Sequence, residues 1–155
     1  MRIWDASDYT VSVKCFVGDG GTPTCIALFL DAMISGWSDG KIRCHSATNG
    51  EWLWHIPNAH RGGVSALVLS SNQRFVISGG KEGEVRVWEL RSRELVSHLK
   101  EHTMMVTCIA LFDDDVHALT CSRDRSFLCW DLRREKRISN HTQRMGGMNA
   151  IALSR

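Results

Sequence analysis

Apolar and polar positions alternate along this chain in short runs, cut about every eight to ten residues by Gly, Asn, Asp or Ser. Period-two alternation predicts strands with one buried face. No segment keeps apolar residues at i, i+3, i+4 and i+7 long enough to predict a helix. The clearest unit is residues 76–90. Val76 and Ile77 supply β-branched residues for one strand, Lys81-Glu82-Gly83 supplies a turn, and Val85, Val87 and Trp88 mark the returning strand, so the stretch predicts a hairpin. The same rhythm recurs at residues 34–45 and 119–130.

The rhythm belongs to a longer repeat. Thr24-Cys25-Ile26-Ala27-Leu28-Phe29 returns unchanged as Thr107-Cys108-Ile109-Ala110-Leu111-Phe112, and looser copies begin at Ser65 and Asn149. The starts at 24, 65, 107 and 149 are 41, 42 and 42 residues apart. Each period predicts four strands: a short strand of small apolar residues, one ending in Ser or Thr, one ending near Trp, and a more polar fourth that lies outermost. The fourth strands are expected at residues 51–56, 94–99 and 136–140. Arg2-Ile3-Trp4-Asp5 matches Arg86-Val87-Trp88-Glu89, which predicts the end of a third strand. Residues 9–16 then make a fourth strand, residues 18–21 a glycine break, and residues 148–153 an isolated first strand.

Composition narrows the function classes. With 43% hydrophobic and 23% charged residues over 155 positions, the chain is globular, one domain or part of one. The six cysteines sit inside apolar strand runs without a C-x-x-C pair, which predicts reduced core thiols and a cytoplasmic setting. The N-terminus has no signal-peptide pattern, and no apolar run approaches the roughly 18 residues of a membrane span. A net charge of +2 gives no global field for nucleic acid. No cofactor or metal pattern stands out. Asp113-Asp114-Asp115 lacks the alternate spacing of a calcium loop and predicts a solvated turn, and the glycines at 18–21 lack the Lys-Ser/Thr ending of a phosphate cradle.

Trp4-Asp5, Trp88-Glu89 and Trp130-Asp131 at strand ends, with His60 and His102 preceding first strands, resemble the WD-repeat family over essentially the whole chain. The resemblance implies an all-β fold: a WD-repeat β-propeller segment of about three complete four-stranded antiparallel blades plus partial blades at both ends. Its repeats would run 6–46, 47–89 and 90–131, with partial units 1–5 and 132–155. This chain departs from the pattern where Asp19 and Arg144 hold the His position and where His45-Ser46 replaces Trp-Asp. The family implies two hydrogen-bonded tetrads, His60, Ser78, Glu82, Trp88 and His102, Thr120, Asp124, Trp130, that stabilise blades and do no Ser-His-Asp chemistry. Trp37, Trp52 and Trp54 are expected between blades. Fewer than four repeats, where propellers use four to eight blades, predict an open arc completed by remaining repeats of a longer chain or by other subunits.

In a propeller, the loops before each first strand and between second and third strands open on one rim. Here they carry Arg61, Lys81, Lys100, Arg123, Arg125 and Arg144 beside Met104, Met105 and Met145. Adaptable thioethers next to guanidinium groups suit a protein-binding surface, so Arg61, Lys81, Met104, Met105, Arg123, Arg125, Arg144 and Met145 are the candidate partner-binding residues. Residues 34–43, 58–64, 76–80 and 82–88 are similar to axonemal WD-repeat proteins and their centriolar relatives. That likeness implies a non-catalytic scaffold of the cilium or flagellum whose partners are tubulin and neighbouring axonemal proteins. The rival is a generic adaptor in another complex, such as a ubiquitin-ligase adaptor or trafficking coat. Nucleic-acid binding through Arg133-Arg134-Glu135-Lys136-Arg137 is disfavoured because no aromatics interleave it, and that cluster is expected to be a solvated edge.

Overall fold

A computed structural model describes residues 1–15 and 20–154, and every described element is a strand. In chain order these are β1 (Arg2–Trp4), β2 (Val11–Lys14), β3 (Pro23–Phe29), β4 (Ala32–Trp37), β5 (Ile42–Ser46), β6 (Trp52–Ile56), β7 (Val64–Leu69), β8 (Phe75–Gly80), β9 (Glu84–Glu89), β10 (Leu95–Lys100), β11 (Val106–Leu111), β12 (His117–Ser122), β13 (Ser126–Asp131) and β14 (Lys136–Thr142). They form three four-stranded antiparallel meanders, β3–β6, β7–β10 and β11–β14, and a two-stranded sheet, β1–β2. The strands β3, β7 and β11 lie side by side, so the meanders are the first, second and third blades of an open propeller arc. Cut at 46/47 and 89/90, each repeat holds the outer strand of one blade and the first three strands of the next.

The hydrophobic core sits between blades. Ile34, Ile42, Ile56 and Val64 pack with Val76 and Trp88 between the first and second blades, while Ile77, Val85, Val106 and Ile109 pack with Leu128 and Trp130 between the second and third. Each such side chain contributes about 1.5–3 kcal/mol on burial. The glycines of β4 and β8 let the blades approach: a Cβ on Gly36 would lie 2.4 Å from Val64 Cγ1, and one on Gly79 would lie 2.6 Å from Val106 Cγ1.

Every first strand carries a β-bulge at the same place, between Pro23 and Cys25, Val64 and Ala66, and Val106 and Cys108. The hydroxyl at each bulge donates to a carbonyl of the next blade's first strand, Thr24 to Val64 and Ser65 to Val106, both at 2.6 Å. Thr107 reaches Met148 O in the same way, also at 2.6 Å. Sequence reasoning missed this staple, although the repeated motif announced it by opening on Thr24, Ser65 and Thr107.

Several expectations are corrected by the fold. Residues 148–153 follow the course of a first strand, but with no second strand beside them among the described residues they form no ladder and are not a strand. The strand expected at 9–16 is limited to β2, and Phe16, like Gly18 and Asp19, lies outside the described residues. Trp37 is fully buried, its indole bonded to Ser35 of its own strand, whereas Trp52, expected between blades, is 58% exposed. Asp115 is not merely solvated: its carboxylate accepts from Ser71 N–H and Oγ–H, each at 2.7 Å, and latches the third blade to the second.

Candidate functional site

Two polar clusters lie on buried faces of the second and third blades. In the second, His60 Nδ1 lies 2.7 Å from Glu82 Oε1 and its Nε2 lies 2.8 Å from Ser78 Oγ, while the Trp88 indole N–H donates to the same hydroxyl at 2.9 Å. In the third, His102 meets Asp124 at 2.9 Å and Thr120 at 2.8 Å, and the Trp130 indole donates to Thr120 at 2.8 Å. Ser78 and Thr120 are both fully buried. Each hydroxyl is already held on two sides and has no open approach, so neither is placed to attack a substrate. Burial lowers the His60 pKa despite the opposing bond to Glu82, so the ring is neutral: Nδ1–H donates to the carboxylate and Nε2 accepts from Ser78. Asp124 resists its own burial because Ser126, the Thr103 N–H and His102 all bond its carboxylate, holding it at about 2.

The first blade reaches the same end with other residues. Trp37, paired opposite Pro23, stands where Gly80 stands in the second blade. A Cβ on Gly80 would lie 2.3 Å from His60 Nδ1, so the Trp37 side chain leaves the backbone where the histidine ring sits one blade on. Its indole donates to Ser35 Oγ at 2.9 Å, and the Arg43 guanidinium stacks 4.1 Å from its ring centre while bonding Asp39 at 2.6 Å. Asp39, Arg43, Trp37 and Ser35 thus replace acid, histidine and hydroxyl. The signals were a Trp in place of Gly and a His in place of Trp. His45, at the usual Trp position, is 2% exposed and its Nδ1 has no hydrogen-bond partner among the described residues.

On one rim, each turn between second and third strands packs against the segment entering the next blade. His60 N–H donates to Gly40 O and Gln143 N–H to Arg125 O across such contacts, whereas Lys81 N–H and Arg123 N–H bond Gly63 O and Met105 O in the entry segments of their own blades. Gly40 (φ 82°) and Gly83 (φ 89°) occupy the left-handed region, where a Cβ would strike His60 O and His102 O. Arg125 holds the equivalent place in the third blade at φ 72°, and its guanidinium donates to Arg144 O at 3.1 Å. A non-glycine residue there costs roughly 1–2 kcal/mol.

The structure therefore brings Arg123, Arg125 and Arg144 together. Met104 and Met105 join them through backbone bonds to Ser122 and Arg123, and Met145 follows Arg144 in the chain. Met145 is 84% and Met104 50% exposed, while Met105 is half-buried. Arg61 and Lys81 are exposed but belong to the second blade, a separate part of the rim. Lys100 is drawn away to Glu84 at 3.1 Å. Although burial opposes it, bonds from Lys100, Arg86 and His98 hold Glu84 down at about 2. Arg134 and Arg137 bridge Asp131 and Glu101 at 3.6 and 2.6 Å, whereas Arg123 and Arg144 form no ion pair among the described residues.

Comparison with known proteins agrees with this architecture. A family model described as the Vps8 beta-propeller matches residues 9–147. Human cilia- and flagella-associated protein 52 is 43% identical over 108 residues, covering 68% of this chain, and the Chlamydomonas reinhardtii protein of that name is 38% identical over 117 residues, covering 73%. The chain spans 17% and 19% of those relatives' lengths. A crystal structure of RRP9 WD40 repeats superposes with a TM-score of 0.79 at 21% identity, over 86% of this chain and 42% of that one.

Proposed function

This chain belongs to the WD-repeat β-propeller family, and we propose that it is a rigid, non-catalytic protein-interaction scaffold of the cilium or flagellum. The observation that carries the binding site is the convergence of Arg123, Arg125 and Arg144 with exposed Met104 and Met145 on one rim. Three guanidinium groups there suit a carboxylate-rich surface, to which arginine offers two parallel hydrogen bonds, and methionine adapts to whatever apolar contour surrounds it. Likeness to cilia- and flagella-associated proteins supports the ciliary setting. An acidic tubulin surface or a neighbouring axonemal protein is the partner this chemistry fits. The burial of Ser78 and Thr120 supports a non-catalytic role.

Co-sedimentation with polymerised tubulin tests the reading. Arg123→Glu with Arg125→Glu is expected to weaken binding roughly tenfold, and Arg133→Glu with Arg134→Glu far less. The opposite ranking moves the site to the outer edge. Equal capture of the chain's partners from ciliated and non-ciliated cells would favour an adaptor in another complex.

A further inference from the structure

A second surface lies at the opposite ends of the strands, between the first and second blades. A wedge of about 550 Å³ opens there, with Phe29, Leu53, Trp54 and Leu90 as its apolar lining and Arg74, Glu89 and Arg91 around its mouth. The equivalent junction between the second and third blades is shut. There Asp115 (φ 53°) bonds Ser71 and Asn72, while Phe75, Leu111 and Leu132 pack against the core. Gln73 (φ 59°) occupies the turn position of Asp115 one blade earlier, each with its N–H donating back to the first residue of the turn. Its side chain makes no bond across the gap among the described residues, so the first junction has no such latch, and Ala32, where Phe75 stands one blade on, fills less of it beside Leu69 and Leu90.

The wedge continues onto β6, the outer edge strand of the first blade, where Trp52 and Leu53 are 58% and 47% exposed. An edge strand presents unpaired backbone groups to an extended segment. At the mouth stand two guanidinium groups and one carboxylate. Glu89 already accepts the Ser92 hydroxyl at 2.9 Å and faces Arg74 at 3.8 Å, whereas Arg91 forms no ion pair among the described residues. The unmatched charge is positive. We propose that this groove docks an extended segment of a partner protein in which a bulky apolar side chain, seated on Leu53 and Trp54, is flanked by carboxylates that meet Arg91 and Arg74. This surface is separate from the Arg123 rim and stands whether or not tubulin is the rim's partner.

Display of short random peptides against the whole chain, followed by fluorescence anisotropy of a selected peptide, tests it. The recovered peptides are expected to place Asp or Glu beside Leu, Phe or Trp. Their binding is expected to fall about tenfold or more on Leu53→Glu and on Arg91→Glu. A peptide with its carboxylate residue changed to Lys is expected to regain affinity for the Arg91→Glu chain only. Both changes are at exposed positions, and matching circular dichroism and melting curves confirm that each variant folds. Arg123→Glu with Arg125→Glu is expected to leave this binding unchanged, which separates failure of the groove from failure of the rim. Selection of peptides without acidic residues, or binding indifferent to Leu53→Glu, would overturn the proposal. So would a dimer that Leu53→Glu converts to monomer in light scattering, because a second copy would then be the occupant.

Discussion

In the second blade the buried hydroxyl of Ser78 is shared by a histidine and an indole from two other segments of the chain, His60 before the blade and Trp88 on its third strand. In the first blade the matching hydroxyl of Ser35 receives Trp37 from its own strand, two residues away, and the acid reaches that indole only through a stacked arginine. The requirement common to both is a satisfied hydroxyl and a filled interior, because an orphaned polar atom costs about 1–3 kcal/mol when buried. The difference is in connection. His60 ties the entry loop to the blade centre with its own ring, whereas Trp37 fills the same space as one large side chain and leaves the link to the entry segment to Arg43, which donates to Gly20 O at 3.0 Å. The first blade also keeps a defect, the Nδ1 of His45 without a hydrogen-bond partner among the described residues, at the position where the second and third blades have a bonded indole.

The largest test of that contrast is Trp37→Ala. Removal of a fully buried indole leaves a cavity and strips Ser35 and Arg43 of their partner, so urea unfolding is expected to show a loss of about 3–5 kcal/mol. A loss below that of the second-blade variants would mean that the first blade does not depend on its replacement. Next comes His60→Ala, which removes two hydrogen bonds but less volume. A loss of roughly 1–3 kcal/mol is expected, with a smaller loss for Trp88→Phe, which deletes only the indole donor.

The smallest effect expected is on pH dependence. Burial lowers the pKa of both His45 and His60 below the ordinary value of 6.5. The unfolded chain then binds more protons than the folded one below pH 6.5. Their contribution is therefore fully present above that value and declines as pH falls toward the lower folded pKa values. His45→Phe is expected to flatten this acid-side decline and, having no donor to satisfy, to leave stability at neutral pH little changed or raised. Melting temperatures followed from pH 7.5 down to about 5 check this, and an unchanged slope would show that the His45 ring is not the source.

The comparison also shows how far residues can be read without coordinates. The tetrads of the second and third blades were legible because their members recur at matched offsets, His60 with His102 and Trp88 with Trp130. Trp37 and Trp54 read alike in sequence, yet Trp37 bonds Ser35 on its own strand while Trp54 packs against the core between the first and second blades, and only the missing Gly at position 37 hinted at the exchange. Asp115 read as one of three solvated acids because its partners, Ser71 and Asn72, belong to a neighbouring blade. The wedge beside Leu53 left little trace in pattern, since the open and closed junctions differ by Gln73 against Asp115 in a turn and by Ala32 against Phe75 on a strand.

By itself, the order of residues determined the strands, their grouping in fours and the repeat near 42, because side-chain alternation and turn chemistry are local and act through neighbours a few residues apart. Tertiary structure alone decided which hydroxyls staple one blade to the next and where Arg123, Arg125 and Arg144 converge. Those outcomes depend on contacts between segments some 20 to 40 residues apart, as in the span from Arg125 to Arg144 or from Thr107 to Met148. At that range a partner is chosen by packing geometry and by the cost of leaving a buried polar group alone, and neither is written in the spacing of any one strand.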